Sequence, residues 1–177
     1  MRRVRLQTAV LMFSLLFIAG CSGMSGGSGA LTGSKLTDAQ RFTLKGLNVD
    51  MVSLNDVLAR RKVVLLNVWA TWCGYCIEEM PDLVKLQEKF YNRGFTVLGV
   101  NQGESAGVVS RYIDKAGINF LVALDEETSV AQAYGLVGIP TSILVASNGE
   151  VLGEYHTFTE QLESDVAKAV EGENIHA

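Results

Sequence analysis

Two cysteines three residues apart, Cys73 and Cys76, carry the most reactive chemistry in this 177-residue chain. They stand in the octapeptide Trp69-Ala70-Thr71-Trp72-Cys73-Gly74-Tyr75-Cys76. Val63 to Val68 reads as an apolar run ahead of it, and Ile77 to Tyr91 has helical periodicity behind it. The pair is therefore expected at a strand-to-helix junction. At the mouth of a helix, unpaired N–H groups and the macrodipole favour negative charge. Such a setting lowers a cysteine pKa from about 8.5 into the range of about 3.5–7.5, and the thiolate is the nucleophile. Cys76 follows on the same side of the first turn, within reach of a mixed disulfide at Cys73. Cys73 is expected to attack and Cys76 to resolve. Half of a structural zinc site is a competing reading, but such sites take four ligands, and only His156 and His176 remain as partners. An inert structural disulfide is the other, disfavoured because a strand–turn–helix setting activates thiols.

The helix behind the cysteines holds a second candidate. Glu79 is followed at i+4, i+7 and i+11 by Leu83, Leu86 and Phe90, which sets it on the apolar stripe. Glu78 is followed at the same offsets by Asp82, Lys85 and Lys89, the wet face. A carboxyl at the edge of burial has a raised pKa and exchanges protons nearer neutrality. Cys76 must lose a proton to resolve the mixed disulfide, so Glu79 is the candidate base and Glu78 a solvated residue.

The elements that must position these groups alternate. Phe42–Lys45 and Val49–Val52 suggest a small hairpin, and Ser53 with Asp56 suggests a capped short helix to Ala59. Val63–Ala70 reads as a fully apolar central strand, covered on both faces. A helix runs from Cys73 to about Arg93 and stops at Gly94, with Pro81 expected to kink it. Phe95–Asn101 is a second buried strand. Ala106–Ala116 reads as a helix, Asn119–Leu124 as a short strand, and Thr128–Tyr134 as a brief helix. Thr141–Ala146 and Glu150–Tyr155 flank Ser147-Asn148-Gly149, a hairpin signal. Thr159–Val170 closes as a helix.

At this point the residues resemble a family. Trp72-Cys73-Gly74-Tyr75-Cys76, with Tyr134-Gly135-Leu136-Val137-Gly138-Ile139-Pro140-Thr141, is similar to thioredoxin. A longer pattern is similar to the membrane-anchored, extracytoplasmic branch of thioredoxin-like reductases typified by cytochrome c maturation proteins. It comprises Leu66-Asn67-Val68-Trp69-Ala70-Thr71-Trp72-Cys73, Cys76-Ile77-Glu78-Glu79-Met80-Pro81 and Val100-Asn101-Gln102-Gly103-Glu104-Ser105. The resemblance spans residues 41–171. It implies an α/β thioredoxin-like fold: a central mixed sheet flanked by helices, with an N-terminal hairpin and a strand–helix insert from Asn101 to Leu124. It places a glutamate at Glu79 and a cis bond before Pro140. It implies substrate docking on Trp72, Gly74, Tyr75, Ile139 and Pro140. The implied activity is thiol–disulfide exchange, read as reduction of protein disulfides. Apocytochrome c cysteines are one implied substrate class, and a membrane dithiol carrier of the DsbD or CcdA type is the implied electron donor. The dithiol carries both electrons, so no dissociable cofactor and no metal is implied. Net oxidase or isomerase activity and a redox-independent chaperone module stand as alternatives. A thiol peroxidase fits less well, because no Pro-x-x-x-Thr-x-x-Cys pattern occurs. Thioredoxin has Gly-Pro between its cysteines where this chain has Gly74-Tyr75, so its redox potential does not carry over. Trp69 is expected in the core, and His156 follows the last strand as an ordinary surface histidine.

The amino terminus speaks to compartment. Arg2, Arg3 and Arg5 precede an apolar stretch of 11 residues, Ala9 to Ala19, shorter than a membrane span of about 20 and suited to a signal peptide. It ends in Ile18-Ala19-Gly20-Cys21, which resembles a bacterial lipobox whose cysteine is acylated and becomes the mature N-terminus. Twin-arginine export and an incidental Cys21 are the alternatives. Of three cysteines, two form the pair and the third occupies the lipidation position. Ser22 after Cys21 resembles an outer-membrane sorting signal if the organism is Gram-negative.

Expected divisions are therefore a lipoprotein signal peptide, 1–20, a lipidated Cys and Gly/Ser-rich tether, 21–34, and a thioredoxin-like domain, 35–177. The thirteen tether residues after Cys21 would reach roughly 20 Å as a coil and about 45 Å at full extension. Without residues 1–20 the chain keeps 12 basic and 19 acidic residues, a net charge of −7. That balance argues against nucleic-acid binding and against electrostatic docking on membranes. A monomer exported to the periplasm, or to the outer face of the cytoplasmic membrane, is the expectation.

Overall fold

The computed structural model describes residues 31–173 and Ile175. The signal-like segment, Cys21, most of the Gly/Ser-rich stretch and His176 lie outside the described residues. Among the described residues seven strands form one mixed sheet: β1 (Thr43–Gly46), β2 (Met51–Ser53), β3 (Val63–Trp69), β4 (Phe95–Gln102), β5 (Leu121–Asp125), β6 (Thr141–Ala146) and β7 (Val151–Tyr155). Their order is β2-β1-β5-β4-β3-β6-β7. β3 runs parallel to β4 and β4 to β5, and the remaining pairs are antiparallel. Five α-helices among the described residues cover the sheet: α1 (Leu54–Arg60), α2 (Gly74–Phe90), α3 (Ala106–Ala116), α4 (Ser129–Tyr134) and α5 (Glu160–Glu171). This is the thioredoxin-like architecture, with the N-terminal hairpin attached through β1 to the insert strand β5.

Alternation along β3 explains the two-sided burial. Val63, Leu65 and Trp69 pack with Met80, Leu83 and Phe90 of α2, Val109 of α3 and Leu162 and Val166 of α5. Val64, Leu66 and Val68 face the other way, onto Leu54 and Leu58 of α1 and Val130 and Tyr134 of α4. Each such side chain contributes about 1.5–3 kcal/mol of burial before the cost of ordering the chain. Trp69 lies across β4, where a Cβ on Gly99 would come within 3.1 Å of its indole nitrogen, so a larger residue there would collide with the ring.

One sequence expectation fails here. The strand read as fully apolar contains Asn67, and its side chain is wholly buried. Its position in the alternation turns it toward α2, with Val63, Leu65 and Trp69. A buried amide in a central strand is tolerated only with hydrogen-bond partners, and these prove to be the site's own residues.

Other boundaries move by a residue or two. The long helix ends at Phe90 and tightens into a 3₁₀ turn, Tyr91–Arg93, before left-handed Gly94 (φ 97°). α2 continues through Pro81. The strand expected from Asn119 begins at Leu121. Ser53 caps α1 by accepting the Asp56 N–H at 3.4 Å, as the spacing suggested. Leu31–Ser34, assigned by composition to a free tether, lie against β7: the Gly33 N–H donates to the Val151 carbonyl and the Val151 N–H to the Ser34 carbonyl, both at 2.8 Å. No described helix is long and apolar enough to cross a membrane.

Candidate active site

Strand register gathers the chemistry at one end of the sheet. Thr141, the first residue of β6, pairs with Val68 near the end of β3, and Tyr155 at the end of β7 pairs with Ser142. The segments Trp69–Cys73, Ile139–Pro140, Asn101–Glu104 and His156–Phe158 therefore all leave the sheet on the same side.

Cys73 is the N-cap of α2, and its sulfur accepts the Cys76 N–H at 3.2 Å. The helix thus opens with a cysteine sulfur where serine or aspartate usually accepts the orphan donors. Cys73 and Cys76 are joined in a disulfide. Cys73 keeps 6% of its surface exposed and Cys76 none. Around them Trp72 (67% exposed) and Tyr75 (76%) present apolar surface to solvent. A Cβ on Gly74 would meet nothing within 4 Å, so the patch between the rings is open. The Ile139–Pro140 peptide is cis, with Ile139 half-buried and Pro140 buried.

The turn before Cys73 is held from the side by a residue that sequence reasoning passed over. Glu104 follows Gly103, whose φ of 70° turns the chain after β4. Its carboxylate accepts the Thr71 N–H at 2.7 Å, the Thr71 hydroxyl at 2.6 Å and the Asn101 side-chain amide at 2.8 Å. Two of these bonds hold Thr71, two residues ahead of Cys73, and the third, from Asn101, holds the carboxylate itself.

Glu79 sits deeper than its expected place at the edge of burial. It is only 5% exposed, one turn along α2 from Cys76, a spacing that brings Cβ atoms within about 5–6 Å. Its Oε1 accepts the Asn67 side-chain amide at 2.8 Å and its Oε2 the Phe158 backbone N–H at 3.0 Å. Burial pushes the Glu79 carboxyl above its ordinary range, and the bonds from Asn67 and Phe158 pull partly the other way. Glu78 is exposed. Asn67 and Phe158 escaped sequence reasoning because one was hidden in an apolar strand and the other contributes only backbone. His156 Nδ1 lies 3.4 Å from the Thr141 hydroxyl, and its ring is largely exposed. Among the described residues no cluster of three His, Cys, Asp or Glu side chains is placed to hold a metal ion.

The raised Glu79 pKa has a sign that stability measurements can read. Between the unfolded and folded values the native state holds a proton that the unfolded chain has lost, so stability falls as pH rises through that window. Below the ordinary carboxylate range the contribution is fully present. The stability of oxidised wild type relative to Glu79→Gln should therefore grow as pH is lowered from neutral toward that range. Denaturant titrations of both proteins at several pH values check this, and a pH-independent difference would contradict it.

A mixed sheet carrying a Cys-x-x-Cys disulfide at the head of α2, opposite a cis-proline loop, defines a thioredoxin-like thiol–disulfide oxidoreductase. The chain belongs to the AhpC/TSA family, whose model matches residues 36–153. It is 32% identical over 137 residues to the thiol-disulfide oxidoreductase ResA of Halalkalibacterium halodurans, covering 76% of each chain. It is 30% identical over 151 residues to ResA of Bacillus subtilis, covering 85% of this chain and 83% of that one. Among solved structures, the protein described as a thiol:disulfide interchange protein DsbE from Chlorobium tepidum superimposes with a TM-score of 0.71 at 32% identity, over 78% of this chain and 97% of that one.

Proposed function

We propose that this oxidoreductase is an exported, lipid-anchored reductase of protein disulfides. The Cys73–Cys76 disulfide at the head of α2, flanked by exposed Trp72 and Tyr75 and backed by buried Glu79, carries the reading. In the reduced enzyme the Cys73 thiolate attacks one sulfur of a substrate disulfide. A Cys73–substrate disulfide forms, and the substrate's other sulfur leaves as a thiolate that takes up a proton. Cys76 then gives its proton to Glu79 and attacks the Cys73 sulfur. The internal disulfide closes, and the second substrate sulfur departs as a thiolate that takes up a proton. Two electrons have passed to the substrate, and the oxidised form is the one described above. No dissociable cofactor takes part.

Substrate docks across Trp72, Gly74 and Tyr75, with the backbone of Ile139 before Pro140 free to pair with an extended segment. Regeneration takes two electrons from a membrane dithiol carrier of the DsbD or CcdA type, and apocytochrome c cysteines are one substrate class. The equilibrium potential of the mature protein against a defined thiol buffer tests the direction. A value in the region of thioredoxin, about −270 mV, supports reduction, whereas one near that of DsbA, about −120 mV, would make it an oxidant.

Anchoring rests on Ile18-Ala19-Gly20-Cys21, with residues 21–30 and the docked Leu31–Ser34 between lipid and domain. Leu31–Ser34, which composition counted with the tether, lie on β7 as part of the folded domain. Cys21→Ser should abolish metabolic labelling by palmitate and release the protein from membranes. Mass spectrometry finding an unacylated mature N-terminus elsewhere would overturn the anchor.

A further inference from the structure

Asn67 occupies an unusual position for an amide, and its hydrogen bonding is one-sided. Both of its amide hydrogens are used: Nδ2 donates to Glu79 Oε1 at 2.8 Å and to Ser142 Oγ at 3.0 Å. Its Oδ1 is buried without a partner. The fold thus leaves an acceptor unsatisfied in order to aim both donors, an arrangement that suits a charged carboxylate at Glu79 and not a protonated one. Phe158 N–H holds Oε2 and serves either form, since a neutral carboxyl oxygen still accepts. Oε1, facing Asn67, is where a proton can be accommodated. A half-turn of the Asn67 amide would bring Oδ1 against Oε1, where it could accept a Glu79 O–H. The Ser142 hydroxyl, an acceptor now, could then turn and donate to the same oxygen. Neither change needs movement of the backbone of β3 or β6.

We propose that Asn67 is a positioning residue for the dithiol reaction: its amide turns over as Glu79 gains or loses the Cys76 proton, supporting the carboxylate in one orientation and the carboxylic acid in the other. The proposal rests on the reading of Glu79 as the base for Cys76. The elements packed around Glu79 bring few other titratable groups. They are the Cys73–Cys76 pair on the first turn of α2, Tyr155 and His156 at the end of β7, and Asp165 on α5, whose carboxylate is held by the Tyr155 hydroxyl and the Gln161 amide. β3 and β6 add none at this end, only Asn67, Thr141 and Ser142. Among the described residues Asn67 is the one side chain bonded to the Glu79 carboxylate.

NMR on the full mature protein tests this in two ways. In wild type, the Asn67 side-chain amide resonances should titrate with the Glu79 carboxyl carbon and at the same midpoint, and they should stop titrating in Glu79→Gln. In Asn67→Leu, branched at the same carbon but without a donor, the Glu79 midpoint should rise, and breakdown of the mixed disulfide should slow by about tenfold at pH values below the wild-type midpoint. Asn67 resonances indifferent to Glu79 titration would overturn the proposal even if Asn67→Leu fails to fold. An unmoved Glu79 midpoint in a folded Asn67→Leu protein would overturn it as well. A Glu79 midpoint that rises in Asn67→Leu while breakdown kinetics stay unchanged would support the coupling and instead remove Glu79 from the role of base.

Discussion

Replacing Cys76 with serine is expected to leave an enzyme that attacks substrate disulfides and then stalls as a covalent mixed disulfide through Cys73. Replacing Cys73 with serine is expected to reduce exchange to background. The asymmetry follows from placement. Cys73 caps α2, where its sulfur already accepts an orphan helix N–H and where a thiolate is favoured, and it retains surface accessible to a partner. Cys76 lies one turn inside and is fully buried, so it meets no external disulfide but lies in reach of Cys73. Non-reducing electrophoresis of the two variants incubated with a disulfide substrate, followed by mass spectrometry of trapped adducts, reads the outcome. Adducts through Cys76, or equal alkylation of the two thiols in the reduced protein from pH 5 to 9, would reverse the assignment.

Glu79→Gln is expected to slow breakdown of the mixed disulfide far more than its formation. Loss of a general base lowers a proton-transfer step by about 10²–10⁴-fold, and that range is the ceiling here because water can substitute in part. The geometry favours the upper part of the range: Glu79 is buried one turn from Cys76, and water reaches a fully buried thiol poorly. Burial also raises its carboxyl above the ordinary range, which makes the carboxylate a stronger base. Glu78→Gln, altered on the exposed face of the same helix, should change little. Rapid-mixing kinetics separate the two steps. Equal breakdown rates in the two variants would leave Glu79 a structural residue.

Much of this was legible along the chain because the signals are local. The Cys-x-x-Cys spacing, the strand before it and the helix after it are neighbours in sequence, and short-range hydrogen bonding and apolar periodicity determine them together. Glu79 could be separated from Glu78 because the 3.6-residue period alone decides which carboxylate faces inward. The order of strands and helices along the chain, the left-handed stop at Gly94 and the turn at Gly149 followed from similarly short stretches. The cis Ile139–Pro140 bond was legible only through resemblance to thioredoxin, since an X–Pro pair by itself favours trans.

Tertiary structure decided what lies between segments far apart in the chain. Asn67 carried no role in a strand read as fully apolar; the register of β3 with β6, and the packing of α2 across them, bring Ser142 and Glu79 to its two amide hydrogens. Phe158 donates to Glu79 through its backbone, which no side-chain pattern can announce. Glu104 clamps Thr71 from 33 residues away, because β3 and β4 run parallel and end together. The depth of Glu79 was underestimated for the same reason. A helical stripe tells which way a residue faces, whereas how much water remains around it depends on what the sheet, the loop after β7 and α5 place on top.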